Sequence, residues 1–161
     1  MIRYATCAAA AVALMLAGLA GPAVALEHHE ASAVVSILER LAPERGETVF
    51  PNAAEDWFEY DSEQEGLIEA AGYDSEEWQE IYEDTISAYL ATIPDDEYAA
   101  FFDGVEERLA ASDLSAEQKA QLLEQWRSDV AELDQRRRQA KPMAVVVKPL
   151  APRLSALMAM N

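Results

Sequence analysis

The feature that most constrains the fold of this chain is a series of helix-start signals, each followed by residues at helical spacing. Residues 74–77, Asp-Ser-Glu-Glu, have the form of a capping box, in which two side chains bind free backbone N–H groups at a helix start. Behind this signal, large and apolar side chains recur every three or four positions: Trp78, Ile81, Tyr82, Thr85 and Tyr89. This period is typical of one buried face of an α-helix.

Further start signals predict helices over most of the chain. They lie at residues 52–55, 62–65 and 115–118, and an acidic turn begins another helix at Asp95. The helix from that acidic turn has a regular stripe: Tyr98, Phe101, Phe102, Val105 and Leu109. The helix after residues 115–118 is expected to extend to about Ala140. It should bury one side: Gln118, Leu122, Trp126, Val130 and Leu133.

Proline positions divide the helical pattern into segments. The first apolar pattern, after Ser32, is expected to end at Pro43, because proline lacks the N–H group that an inner turn needs. Residues 143–147 predict a short apolar, β-branched connector, and Pro149 suits the first position of a last helix. We therefore predict an all-α fold, a single bundle of five to six short, mostly antiparallel helices after a cleaved signal peptide.

The first 25 residues have the pattern of a secretory signal peptide. Arg3 provides a positive start, residues 7–20 are apolar, and residues 23–25, Ala-Val-Ala, have the form of a cleavage site. The apolar run is shorter than the ~20 residues of a membrane-spanning helix. We predict a signal peptide over residues 1–25, a periplasmic or secreted location, and no stable membrane insertion after cleavage.

Charge is divided unevenly along the chain. The sequence has 12 Lys and Arg against 30 Asp and Glu, a net charge of −18. Residues 46–107 contain 20 carboxylates and no base, whereas residues 135–161 contain six bases and no acid. This division predicts an acidic helical bundle over residues 26–140 and a basic, apolar C-terminal segment with a short helix over residues 141–161. Folding the basic segment back across the acidic block would relieve self-repulsion.

The acidic balance also indicates the class of partner. Nucleic-acid affinity depends on Lys and Arg that neutralise phosphates, so nucleic acid is excluded as a ligand. A negative field attracts cationic molecules, and charge complementarity adds specificity. We expect a basic or cationic protein partner.

The start of the mature chain offers a candidate metal site. If the leader is removed after Ala25, the amine of Leu26, two backbone amides and the imidazole of His28 supply four nitrogens, with His29 beside them. That donor set suits Cu(II) or Ni(II) in a square-planar geometry. The alternative is that both histidines are solvated residues of a frayed end. Periplasmic copper or nickel binding through Leu26, His28 and His29 is the second function that we consider.

A second acid-rich stretch has part of the spacing of a calcium loop. Asp61, Glu63 and Glu65 fall on its first ligand positions, but the position that requires a bidentate glutamate is Gly72. Helix capping with solvated charge accounts for this stretch, and we predict no calcium site there.

The sequence lacks the motifs that are typical of common enzyme active sites. It has no Gly-rich phosphate loop, no G-x-S-x-G and no H-E-x-x-H motif, and its two histidines, His28 and His29, are adjacent. The aromatic residues are spaced as a helical core, except that the neighbours Trp57 and Phe58 cannot both point inward. We therefore predict a non-enzymatic binding protein with an exposed aromatic anchor at one of these two. An enzyme of unknown class is the third alternative.

Three helix starts resemble those of a known group of proteins. Residues 72–78 are GYDSEEW, residues 113–119 are DLSAEQK and residues 147–149 are VKP. In these segments the chain resembles a loose family of small exported all-helical proteobacterial proteins of unknown function. The resemblance implies an all-helical fold and an exported location, and it assigns no functional residue. Where the last helix of that family often continues with an aromatic and an acidic residue, this chain has Leu150-Ala151-Pro152.

Overall fold

The protein is all-helical over residues 26–159, which are the residues that the computed structural model describes. The predicted signal peptide, residues 1–25, lies outside them. The α-helices are α1 His28–Arg45, α2 Ala54–Ser62, α3 Leu67–Ala70, α4 Ser75–Leu90, α5 Asp95–Ala100, α6 Val105–Ala111, α7 Ala116–Gln139, α8 Ala144–Val147 and α9 Ala151–Ala159. Two 3₁₀ turns, Lys141–Met143 and Lys148–Leu150, flank α8. Among these helices, none is long and apolar enough to cross a bilayer.

Helix α4 is the centre of the core. It packs against α1, α2, α7, α8 and α9, and its predicted stripe is buried as expected. Two large side chains of this stripe also bind backbone carbonyls outside α4. The Trp78 indole N–H donates to the Ala54 carbonyl at 3.0 Å, and the Tyr82 hydroxyl donates to the Phe50 carbonyl at 2.6 Å. These bonds hold the segment before α2 against the central helix.

The capping boxes are confirmed at two of the four predicted helix starts. Asp74 accepts from the Glu76 and Glu77 amides, and Ser115 accepts from the Gln118 amide. At residues 52–55 the prediction is wrong, because the cap of α2 is Ala53, which has no side-chain bond to offer.

The start of α3 is capped by a residue outside the predicted box at residues 62–65. Asp61 is buried, and its two carboxylate oxygens accept from the Leu67 amide at 3.0 Å and the Ile68 amide at 2.7 Å. Gly66 turns the chain with a φ of 63° so that these amides face the carboxylate. Asp61, the first residue of the calcium-like pattern, therefore accepts hydrogen bonds from backbone N–H groups at the start of α3.

Helix α1 extends past the proline that was expected to end it. Pro43 lies in its last turn, and the helix ends at Arg45, followed by Gly46 with a φ of 67°. The Gly46 amide donates to the Ala42 carbonyl at 2.9 Å, so the closing bond of the helix bypasses the proline.

Residues 95–136 form a helical arm that is much less buried than the rest of the described chain. The stripe from Asp95 was predicted to lie on one helix, but the chain breaks between α5 and α6, where Gly104 has a φ of 73°. Of that stripe only Tyr98 is buried, and Phe101 is 65% exposed. The predicted inner side of α7 is confirmed only in part: Trp126, Val130 and Leu133 are half-buried, whereas Gln118 and Leu122 are exposed, and the fully buried residue of the helix is Arg137.

The C-terminal segment packs into the core of its own domain. The predicted connector at residues 143–147 is helical, and the segment buries four apolar side chains: Val147, Leu150, Leu154 and Leu157. The Val49 amide donates to the Leu157 carbonyl at 3.3 Å, and the Arg153 guanidinium donates to the Glu39 carboxylate at 2.7 Å. Apolar burial, together with this surface pair, joins the segment to the acidic domain.

Candidate binding cleft

An open, mainly apolar cleft lies between the helical arm and the rest of the described chain, residues 26–94 and 137–159, which we call the body. It consists of two adjoining cavities of about 450 and 490 Å³. Four residues line both cavities: Phe50, Pro51, Phe102 and Leu133. The first cavity extends between Tyr89 and Met158, and the second extends to Trp126. Cavities of this size and lining are typical of sites that bind apolar groups.

Two exposed phenylalanines stand on opposite sides of the cleft. Phe50 of the body is 57% exposed and Phe101 of the arm is 65% exposed. The backbone at Phe50 is fixed, because its carbonyl accepts from the Tyr82 hydroxyl and the neighbouring Val49 is fully buried. The structure therefore presents an exposed aromatic ring on a held backbone, an arrangement that lowers the entropic cost of binding.

The arm side of the cleft is an aromatic cluster. The Phe102 ring lies 5.2 Å from the Tyr98 ring and 6.5 Å from the Trp126 ring, with edge-on geometry in both pairs. Such pairs stabilise each other beyond the area that they bury. Tyr98 is buried beneath Phe102, and Trp126 is partly accessible. Of the three tryptophans, Trp126 is the one that lines the cleft, since Trp57 and Trp78 are in the core.

Arg137 ties the arm to the body by binding the backbone of two residues that line the cleft. Its guanidinium is buried and donates to the Leu90 carbonyl at 3.0 Å, the Ile93 carbonyl at 2.7 Å and the Asp95 carboxylate at 2.7 Å. It also lies over the Tyr98 ring at 4.3 Å. The hydrogen bond from Arg137 lowers the pKa of Asp95 below its usual value. One side chain thus joins α7 to the end of α4 and the start of α5.

A third cavity, which shares Phe102 and Trp126 with the cleft, is lined by six charged residues together with apolar side chains. It has a volume of about 470 Å³, and its lining contains two acids and four bases. Asp95 pairs with Arg137, and Asp134 pairs with Arg138. The cleft has three charged residues in its lining, against six in the third cavity, so it is the face of the arm that is better suited to an uncharged surface of a ligand.

An acidic hollow lies at the other side of the body, where α1 meets α4. Glu30, Glu77, Glu80 and Asp84 line it around an apolar floor. Burial raises the pKa of Asp84, and the nearby carboxylates Glu80, Glu83 and Glu30 raise it further. Like charges crowded in this way reduce the stability of the folded state.

This crowding predicts a pH-dependent effect of neutralising Asp84. The folded-state pKa of Asp84 lies above its unfolded value, so ionised Asp84 lowers the free energy of unfolding at neutral pH. This loss of stability disappears as the pH falls through the folded-state pKa and then the unfolded-state pKa. We expect Asp84→Asn to raise the free energy of unfolding at pH 7.5 by less than about 1 kcal/mol. Urea denaturation of both proteins at pH 7.5 and pH 3 checks this. A gain that is equal at the two pH values would contradict it.

The residues of the predicted metal site lie together at the start of α1, each with another contact. Leu26 is buried, and the His28 Nδ1 donates to the Val146 carbonyl at 3.1 Å. The His29 Nδ1 lies 3.1 Å from the Glu27 carboxylate. The Glu27 amide, one of the expected nitrogen donors, donates to the Glu30 carboxylate at 2.7 Å. Metal binding in the predicted form stays a prediction, and it would require these contacts to be given up.

Over residues 26–159 there is no place where three or more His, Cys, Asp or Glu side chains lie close enough together to hold a metal ion.

The predicted aromatic anchor is not where the sequence indicated. Trp57 is 1% exposed beneath Arg45, and Phe58 is half-buried. The exposed rings are Phe50 and Phe101, and no spacing in the sequence relates the two. No protein-family model matches the chain, and comparisons with curated proteins and with solved structures likewise find no match.

Proposed function

We propose that the protein is an exported, non-enzymatic binding protein of the periplasm whose acidic surface recognises a cationic protein partner. The observation that supports this proposal is that the acidic surface is not neutralised internally. Nine of the 30 carboxylates take part in ion pairs within the described residues. The bases of the C-terminal region do not change this balance, since four of its arginines are already paired: Arg136, Arg137, Arg138 and Arg153.

The arm that borders the cleft has a large excess of acidic residues. Residues 95–136 carry 12 carboxylates and four bases. Much of α7 is exposed, so these charges face solvent and act on an approaching molecule. A cationic partner would gain steering from the whole acidic surface, including the arm.

The proposal is tested with two synthetic peptides of opposite charge. One is a Lys/Leu amphipathic peptide of about 14 residues, roughly four helical turns; the other has glutamate in place of every lysine. We expect the purified protein to bind the Lys/Leu peptide with a Kd of about 1 µM at low salt and not to bind the Glu/Leu peptide. Affinity for the Lys/Leu peptide should fall by about tenfold or more when NaCl rises from about 20 to about 300 mM.

Isothermal titration calorimetry measures both effects on the unmodified protein. Equal binding of the two peptides, or a Kd that does not change with salt, would contradict recognition by charge. Absence of Lys/Leu binding at low salt would contradict the proposal as a whole.

A further inference from the structure

We propose that the cleft between the arm and the body is the seat for one amphipathic cationic helix of the partner, with the apolar face of that helix packed between Phe50 and Phe101. This inference rests on the proposed function and locates its contact surface. Phe50 and Phe101 are more than half exposed, whereas most large apolar side chains of the body are buried. Both line one cavity, and the cavity continues past Phe102 toward Trp126.

The hydrogen bonds that the cleft can offer determine whether a bound peptide is helical or extended. Over residues 26–159 the protein has no strand, so a peptide in the cleft cannot pair its backbone with a sheet edge. An extended peptide would bury unpaired N–H and C=O groups against the apolar lining, at considerable cost. A helix satisfies its own backbone and exposes only side chains, so it is the form that an apolar cleft accepts.

The charge around the cleft selects a cationic helix over a second copy of this chain. Asp129, Glu132 and Arg136 line the second cavity, and Arg136 is paired with both Glu132 and Glu83. Two copies of the protein would bring together two arms that each have a large excess of carboxylates. Like charges repel at such a contact, whereas lysines flanking the apolar face of a partner helix would face these acids.

The experiment compares two double variants that remove similar exposed apolar groups. Phe50→Ala with Phe101→Ala removes the two rings of the cleft, and Leu122→Ala with Val145→Ala removes exposed groups elsewhere. All four side chains are at least 49% exposed, so both variants should fold, which circular dichroism checks. With the Lys/Leu peptide at low salt, we expect Kd to rise at least about tenfold for the cleft variant and less than about twofold for the other.

Fluorescence of Trp126 provides an independent readout of where the peptide lies. Peptide binding should shift tryptophan emission to shorter wavelength in the unmodified protein, and the shift should be lost in Trp126→Phe, because Trp57 and Trp78 are already buried. If the cleft variant binds as well as the unmodified protein and the emission does not move, the partner binds elsewhere on the acidic surface. That result overturns the cleft assignment and leaves the proposed function standing. Equal losses in the two double variants would also overturn it.

Discussion

Deleting residues 141–161 is expected to abolish the cooperative unfolding transition of the protein. The deletion removes four side chains that the core buries almost completely: Val147, Leu150, Leu154 and Leu157. Burial of each such side chain contributes about 1.5–3 kcal/mol, so together they approach the whole stability of a typical domain, about 5–15 kcal/mol. Helices α1 and α4 would lose the surface against which α8 and α9 pack. Thermal scans followed by near-ultraviolet circular dichroism measure the effect.

Two point variants separate the contribution of burial from that of charge. Leu154→Ala should lower the free energy of unfolding by about 2–5 kcal/mol, because it leaves a cavity in the core. Arg153→Gln breaks the exposed pair with Glu39 and should cost less than about 1 kcal/mol. High salt should therefore not restore the truncated protein. A sharp transition in the truncated chain, or its recovery in salt, would contradict apolar burial as the main contribution.

Replacing Arg137 with alanine is expected to lower the free energy of unfolding by about 3 kcal/mol and to loosen the arm. The substitution removes the side-chain donor of the Ile93 carbonyl, leaves the Leu90 carbonyl with only the Ile93 amide at 3.2 Å, and removes the cation from the Tyr98 ring. Hydrogen bonds to charged groups contribute about 1.5–3 kcal/mol each, and buried acceptors left unpaired are costly. Urea denaturation measures the loss of stability.

Hydrogen exchange of the arm distinguishes a local role of Arg137 from a general one. Amides of α5 and of the start of α7 should exchange faster in Arg137→Ala, while those of α1 should change less. The neighbouring Arg138→Ala is the matched control, because Arg138 is exposed and pairs with Asp134 one turn away on the same helix. It should alter stability by less than about 0.5 kcal/mol. Equal effects of the two arginine variants would contradict the assignment of Arg137 as the tie between arm and body.

Helical periodicity predicted the all-α fold correctly but did not predict which helices are covered. The stripes of α4 and of residues 98–109 are equally regular, yet the first is buried, whereas in the second only Tyr98 is buried, Phe101 is exposed and the other three side chains are partly exposed. Periodicity identifies the apolar face of a helix, whereas burial depends on how many other elements reach that face. The arm contains only short helices beside α7, so its apolar face stays open.

The cleft could not be predicted from sequence because its residues come from four distant segments. Phe50 precedes α2, Phe101 follows α5, Leu133 is in α7 and Met158 is in α9. No spacing along the chain connects them. Charge patterning was more informative for the basic tail, since its expected return to the acidic domain is seen in Arg153 and Glu39. It did not indicate that burial of the tail's leucines would dominate that contact.

The two walls of the cleft are attached to the same rigid element. Tyr82 holds the carbonyl of Phe50, and the carbonyl of Leu90 accepts from Arg137, which holds the arm. These two residues of α4 are separated by about 12 Å of helix, which is close to the diameter of one α-helix with its side chains. An uninterrupted helix therefore fixes the separation of the two attachment points, with no hinge between them. Inserting one turn into α4 between these residues would move the arm relative to Phe50, and the protein would then be expected to select a different partner.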